Sequence, residues 1–113
     1  MNRETNIEQF EELMSTIERP GIDKLMDYIR KSDFYTAPAS TKFHLSCKGG
    51  LLQHSLNVYE AMKHRLEMEG DGLVYKVAGH IVAKIDEDSL KIVTLLHDLC
   101  KTCLLYTSDA ADE

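Results

Sequence analysis

Two histidine-containing stretches decide the fold of this chain: GGLLQHSLNV at positions 49–58 and KIVTLLHDLCK at positions 91–101. In the first stretch apolar residues recur at helical spacing. His54 shares their side of the helix, so its imidazole is expected to face the interior. In the second stretch His97 and Asp98 follow an almost continuous apolar run, which predicts a helix that is apolar on nearly all sides and central in the molecule. Two adjacent ionisable side chains there are costly to bury unless something compensates them.

A divalent metal ion is one such compensation. Two imidazoles and a carboxylate suit a transition ion and leave positions open for water and substrate oxygens. The candidate ions are Mn, Fe, Co, Ni, Zn or Mg. Adjacent helical residues point about 100° apart, so His97 and Asp98 share an ion only if it lies beside the helix. The sequence therefore suggests His54, His97 and Asp98 as metal ligands and hydrolysis by metal-activated water as the chemistry.

A purely structural role is the alternative for the same residues. A histidine on an apolar face is more often a core residue with satisfied hydrogen bonds, and a His-Asp dipeptide arises often by chance. Lys101, about one turn after Asp98, can pair with a substrate phosphate or, more commonly, complement the negative end of its helix. His44 and His80 are weaker candidates whose roles stay open, and His64, in a charged stretch, is assigned none.

Apolar periodicity predicts an all-α fold. The first two predicted helices form a hairpin, and a loop that contains Pro38 separates them from the rest. The predicted helices cover 5–19, 22–31, 51 to about 70, 73–85 and about 89–99. The alternation of polar and apolar residues that is typical of strands is not evident in the sequence.

Composition restricts the protein to a small folded domain. The chain has 113 residues, of which 43% are hydrophobic and 28% charged, so one core is expected and a strongly disordered chain is excluded. Its net charge of -6 argues against a protein that binds the phosphate backbone of nucleic acid by electrostatic attraction alone. Three cysteines form no even disulfide framework, and no long apolar segment is present. A cytoplasmic protein without a membrane segment is expected.

The chain resembles the HD-domain metal-dependent phosphohydrolases, a superfamily named for its His…His-Asp…Asp ligands. The resemblance covers about 34–102 and depends on Phe43-His44, on GGLLQHSLNV at 49–58 and on LLHDLCK at 95–101. It implies an HD-like helical bundle in which His54, His97 and Asp98 bind the metal, with Asp98 placed to bridge two ions where relatives hold two. It also implies that His97, Asp98 and Lys101 carry catalysis. The implied substrate is a phosphoester of a nucleotide or nucleic acid.

The C-terminal sequence departs from the family. The last ligand of the family is an Asp on a further helix, which this sequence lacks. Residues 103–113, CLLYTSDAADE, look like translated sequencing-adapter read-through, although an ordinary frayed terminus is an alternative. We therefore expect a partial HD domain at 1–102, with a helical hairpin at 1–33 and ligand-bearing helices at 34–102, followed by a non-native tail at 103–113. On this interpretation the Cys100–Cys103 pair has no redox or zinc role.

Three functional hypotheses follow from the sequence. The first is a metal-dependent phosphohydrolase, with weakened metal affinity and slow turnover because three ligands stand where the family uses four. The second is a catalytically inactive helical module that binds a nucleotide or a partner in the same pocket. In the third, the His-Asp pair is only a polar part of the core, and a chelator leaves thermal stability unchanged.

Overall fold

The computed structural model describes residues 2–39 and 47–99, which form four helices and a three-stranded antiparallel sheet. In chain order the elements are α1 (Arg3–Ser15), α2 (Ile22–Lys31), α3 (Gly50–His64), β1 (Glu67–Glu69), β2 (Gly72–Val77), β3 (His80–Ile85) and α4 (Glu87–Leu96). The prediction of an all-α fold is therefore wrong. The predicted tail at 103–113 and the Cys100–Cys103 pair lie outside the described residues.

Residues 73–85, where apolar spacing predicts a helix, belong to β2 and β3 and the turn between them. Many of these residues are β-branched or aromatic, and such side chains pack well on a pleated surface but lose rotamer freedom in a helix. A helix would also place Gly79 in its interior, at a cost of about 1 kcal/mol relative to Ala. Ala78 and Gly79 instead form a two-residue turn with φ of 53° and 82°. Positive φ at both positions is what a type I′ hairpin turn requires.

Gly79→Ala is expected to destabilise the protein by about 1 kcal/mol, because Ala must then hold a left-handed backbone conformation. No atom lies within 4 Å of a Cβ built at this position, so the cost is conformational and not steric. Ala78→Asn in the same turn should instead stabilise the protein slightly, because Asn tolerates positive φ better than Ala. Urea denaturation followed by circular dichroism measures both changes. Equal stability of Gly79→Ala and the wild type would contradict the turn conformation.

The third predicted helix is shorter than its apolar spacing suggests. α3 ends at His64, and β1 and β2 then pair through a second two-residue turn at Gly70 and Asp71. Gly70 has a φ of 64°, and glycine at the first central position is typical of a type II′ turn. Two consecutive hairpins thus replace the end of one predicted helix and the whole of the next.

The hydrophobic core lies among the four helices, and the sheet adds Leu73 to it. α4 packs against α3 and α1, and its Leu90 and Leu95 are buried. Val93 is 60% exposed, so the helix that is apolar on nearly all sides is buried on one face and open to solvent on another. None of the helices in residues 2–39 and 47–99 combines the length and the apolar character needed to span a bilayer.

Backbone hydrogen bonds hold the start of α3 against the segment that follows α2. The amides of Gly49 and Leu51 donate to the carbonyls of Thr36 and Ala37, each at 3.0 Å. Gly49 precedes the helix with a φ of 84°, a left-handed conformation that glycine adopts without steric cost. The glycine pair therefore allows the sharp turn that begins α3 four residues before His54.

An ionic cluster joins α1, α2 and the segment after α2. Arg30 donates to both carboxylate oxygens of Glu11, and the Tyr35 hydroxyl donates to the same carboxylate. The hydrogen bond from Arg30 holds the pKa of the Glu11 carboxyl below its ordinary value. Burial, and then the bond to Glu11, raise the pKa of the Tyr35 hydroxyl. These contacts fix the first two helices relative to each other.

Candidate metal centre

The start of α3 meets the end of α4, and this contact brings together three of the residues that the sequence singled out. His54 lies in the second turn of α3, His97 is the C-cap of α4, and Asp98 follows it. The two histidines are 43 positions apart in sequence, and their ring centroids are 5.2 Å apart in the structure. His54, His97 and Asp98 form a group that can hold a metal ion.

The candidate ligand atoms form a small triangle. Nε2 of His54 lies 3.3 Å from Oδ2 of Asp98, Nε2 of His97 lies 3.1 Å from the same oxygen, and the two Nε2 atoms are 3.4 Å apart. A triangle with these edges has a circumradius of about 1.9 Å, slightly less than the bonds of about 2.0–2.2 Å that His and Asp form with zinc. These three atoms would therefore hold one ion at bonding distance, so the residues present fit a divalent metal.

The backbone of α4 orients the His97 ring. Nδ1 of His97 lies 2.7 Å from the carbonyl oxygen of Thr94, in the last turn of the helix, where carbonyl groups lack helical partners. A proton on Nδ1 satisfies this carbonyl and leaves the lone pair of Nε2 directed toward Asp98 and His54. Metal-binding histidines commonly make this kind of second hydrogen bond, which fixes both the tautomer and the ring orientation. The role of the Thr94 carbonyl was missed from the sequence, because no side-chain pattern signals it.

The triangle lies beside the end of α4, which is where a shared ion has to lie if His97 and Asp98 both reach it. The side chains are partly open to solvent, with 33% of His54, 29% of His97 and 18% of Asp98 exposed. Water and a substrate group can therefore approach the side of the triangle that the protein leaves uncovered. Three protein ligands on one side of an ion, with the opposite side open, is an arrangement suited to metal-assisted chemistry.

A row of amide side chains holds α1 against the same part of α3. The Asn6 side chain, which is buried, donates to the Gln53 side chain at 2.8 Å, and Gln53 in turn donates to Asn57 at 2.8 Å. Gln53 immediately precedes His54, so the row restrains the helical turn that carries the first candidate ligand. This contact was not predicted from the sequence either. A polar residue at 6, next to the apolar stripe of α1, was the available signal.

The other residues that the sequence singled out do not join this group. Lys101 and His44 lie outside the described residues. His64, at the end of α3, and His80, at the start of β3, are exposed and are not members of the cluster. The candidate site in the described part of the chain is therefore built from His54, His97 and Asp98.

Comparison of the chain with protein-family models, with curated proteins and with solved structures gives no match. The function is therefore inferred from the chemistry of the residues and the geometry of the site.

Proposed function

We propose that this protein is a metal-dependent phosphohydrolase that cleaves a phosphoester of a nucleotide or nucleic acid. His54, His97 and Asp98 are the residues that hold its divalent ion. The observation that carries the proposal is the triangle of two imidazole nitrogens and one carboxylate oxygen, with edges of 3.1 to 3.4 Å. Its size suits one ion, and its partial exposure leaves room for a substrate.

Charge favours an anionic substrate at this point of the surface. The protein has a net charge of -6, so its overall field repels phosphate groups, and binding one requires a local positive charge. Two neutral imidazoles and one carboxylate leave a bound dication with a net positive charge. A divalent ion in such a site also activates water at neutral pH and stabilises the charge that develops on a phosphoryl group.

The residues of the chain have distinct roles in this proposal. His54 and His97 bind through Nε2, and the hydrogen bond to the Thr94 carbonyl keeps the His97 ring in its binding orientation. Asp98 binds through Oδ2, which contacts both histidines. By the HD-type resemblance, Lys101 supports either the substrate phosphate or the ligand-bearing helix. We place the protein in the cytoplasm, where a free thiol such as that of Cys47 stays reduced.

Hydrolysis of an aryl phosphodiester, measured with added Mn²⁺, Co²⁺, Ni²⁺ or Zn²⁺, tests the proposal. We expect slow turnover that requires metal, because the described residues supply three protein ligands. Asp98→Asn should reduce the rate by at least about a hundredfold, because the amide oxygen that replaces the carboxylate is a neutral, weaker ligand. His64→Ala serves as the matched control, since this exposed histidine on α3 is outside the cluster. A metal-independent rate, or the same rate in Asp98→Asn, would overturn the proposal.

A further inference from the structure

A groove lies at the opposite end of the α3–α4 pair from the candidate metal centre. It has a volume of about 370 Å³ and is enclosed by the end of α3, one face of the β2–β3 hairpin and the start of α4. Its apolar lining residues are Met62, Leu66, Tyr75, Ala83, Ile85 and Leu90. Met62 follows His54 by about two helical turns, or roughly 12 Å along the axis of α3. The groove is therefore separate from the site described above.

The groove has an apolar lining that is partly exposed to solvent. Met62 is 42% exposed and Tyr75 is 41% exposed, although both are large hydrophobic side chains. Contiguous apolar surface of this kind marks binding sites more often than single exposed residues do. The volume also lies within the range of about 300–1,000 Å³ that is typical of small-molecule pockets. An apolar group of modest size is the ligand part that this surface accommodates.

The charge at the groove is positive, in contrast to the protein as a whole. Arg65 lines it at the end of α3 and makes no ion pair with any residue in the described part of the chain. Lys84 also lines it, but Lys84 pairs with Val74 across the sheet while its neighbour Ala83 pairs with Tyr75. Neighbouring strand residues point to opposite faces, so the Lys84 ammonium lies on the other face. Among the described residues that line the groove, none carries a carboxylate.

We propose that this groove binds an anionic amphiphile, with its aliphatic or aromatic part on the apolar walls and its anionic head group against the Arg65 guanidinium. Arg65 can donate two parallel hydrogen bonds to a carboxylate, which a compact ammonium cannot do. Apolar burial provides the affinity, and the guanidinium selects the charge of the head group.

The test is a titration of the full chain, followed by ¹H–¹⁵N NMR, with decanoate and decyltrimethylammonium below their micellar concentrations and with decanol below its solubility limit. Decanoate should bind about fivefold more tightly than decanol. This difference in affinity corresponds to the free energy of a single exposed ion pair, about 1 kcal/mol. Decyltrimethylammonium should bind most weakly. Decanoate should also bind about tenfold more tightly than octanoate, because two further methylenes are buried. Shift changes should concentrate on 62–66 and 75–85.

Three variants separate the contributions. Arg65→Gln should reduce the affinity for decanoate to that for decanol while leaving decanol binding unchanged. Ala83→Phe should weaken the binding of all three ligands, because the larger side chain fills the groove. Lys24→Gln, which removes an exposed cation that does not line the groove, is the control and should have no effect. Equal binding of the three head groups, an unchanged decanoate affinity in Arg65→Gln, or shift changes centred on α1 and α2 would each overturn the proposal.

Discussion

His97→Ala is expected to lower the affinity for a divalent metal by more than about a hundredfold, since loss of even an indirect support of a ligand costs 10- to 100-fold. His97 contributes Nε2, which lies within 3.4 Å of both other ligand atoms. Its removal leaves one imidazole and one carboxylate, and two ligands hold an ion much less well than three. Calorimetric titration with Zn²⁺ and the visible absorption of bound Co²⁺ measure the loss.

Thermal denaturation gives an independent measure of the same effect. An ion that binds only the folded protein should raise its stability by about 2.7 kcal/mol at a concentration one hundred times the dissociation constant. The wild type should gain this stability and lose it on addition of a chelator, whereas His97→Ala should show neither change. His80→Ala, which removes an exposed histidine from β3, is the control and should behave as the wild type does. A wild type that is insensitive to both metal and chelator would favour the structural role of the His-Asp pair.

The candidate site was largely predictable because its elements have strong local signals. The apolar residues around His54 recur at helical spacing, and the structure has α3 there. The apolar run predicts a helix to about 99, and the structure has α4 there, although it ends at Leu96, just before the His97-Asp98 pair. The two helices are brought together because their apolar faces are buried against each other. The sequence shows each apolar face, but it does not show that the two faces are in contact. The hydrogen bond to the Thr94 carbonyl was beyond prediction, because it depends on where the backbone of α4 ends.

The sheet was not predicted, because two different periodicities are compatible with the residues between α3 and α4. Leu73, Val77 and Ile81 fall at the spacing of a helical face, whereas the many β-branched and aromatic residues of 73–85 favour strands. The turn residues Ala78 and Gly79 carried the contrary signal, since glycine inside a helix is unfavourable and glycine in a hairpin turn is favourable. Most of the hairpin is exposed, so it has no clean alternation of buried and exposed residues to reveal the strands.

In α4 the sequence leaves a different question open, because a helix that is apolar on nearly all sides does not show which of its residues are buried. Leu95→Ala is expected to destabilise the protein by about 2–5 kcal/mol, because the Leu95 side chain is fully buried and its loss leaves a cavity. Val93→Ala, two positions earlier on the same helix, should cost less than about 1 kcal/mol because Val93 is 60% exposed. Urea denaturation of the metal-free protein measures both free energies of unfolding.

The contrast between these two variants tests how the candidate metal centre is supported. Leu95 precedes Asp98 by three positions, on the same face of α4, so a cavity beneath it should also disturb the position of the Asp98 carboxylate. Metal affinity should therefore fall in Leu95→Ala under conditions where the variant is still folded, while Val93→Ala should bind metal as the wild type does. If Val93→Ala were the more damaging of the two, the opposite face of α4 would be the buried one. Asp98, which follows Leu95 by three positions and shares its face of α4, would then be directed away from His54, and the three-ligand site could not form.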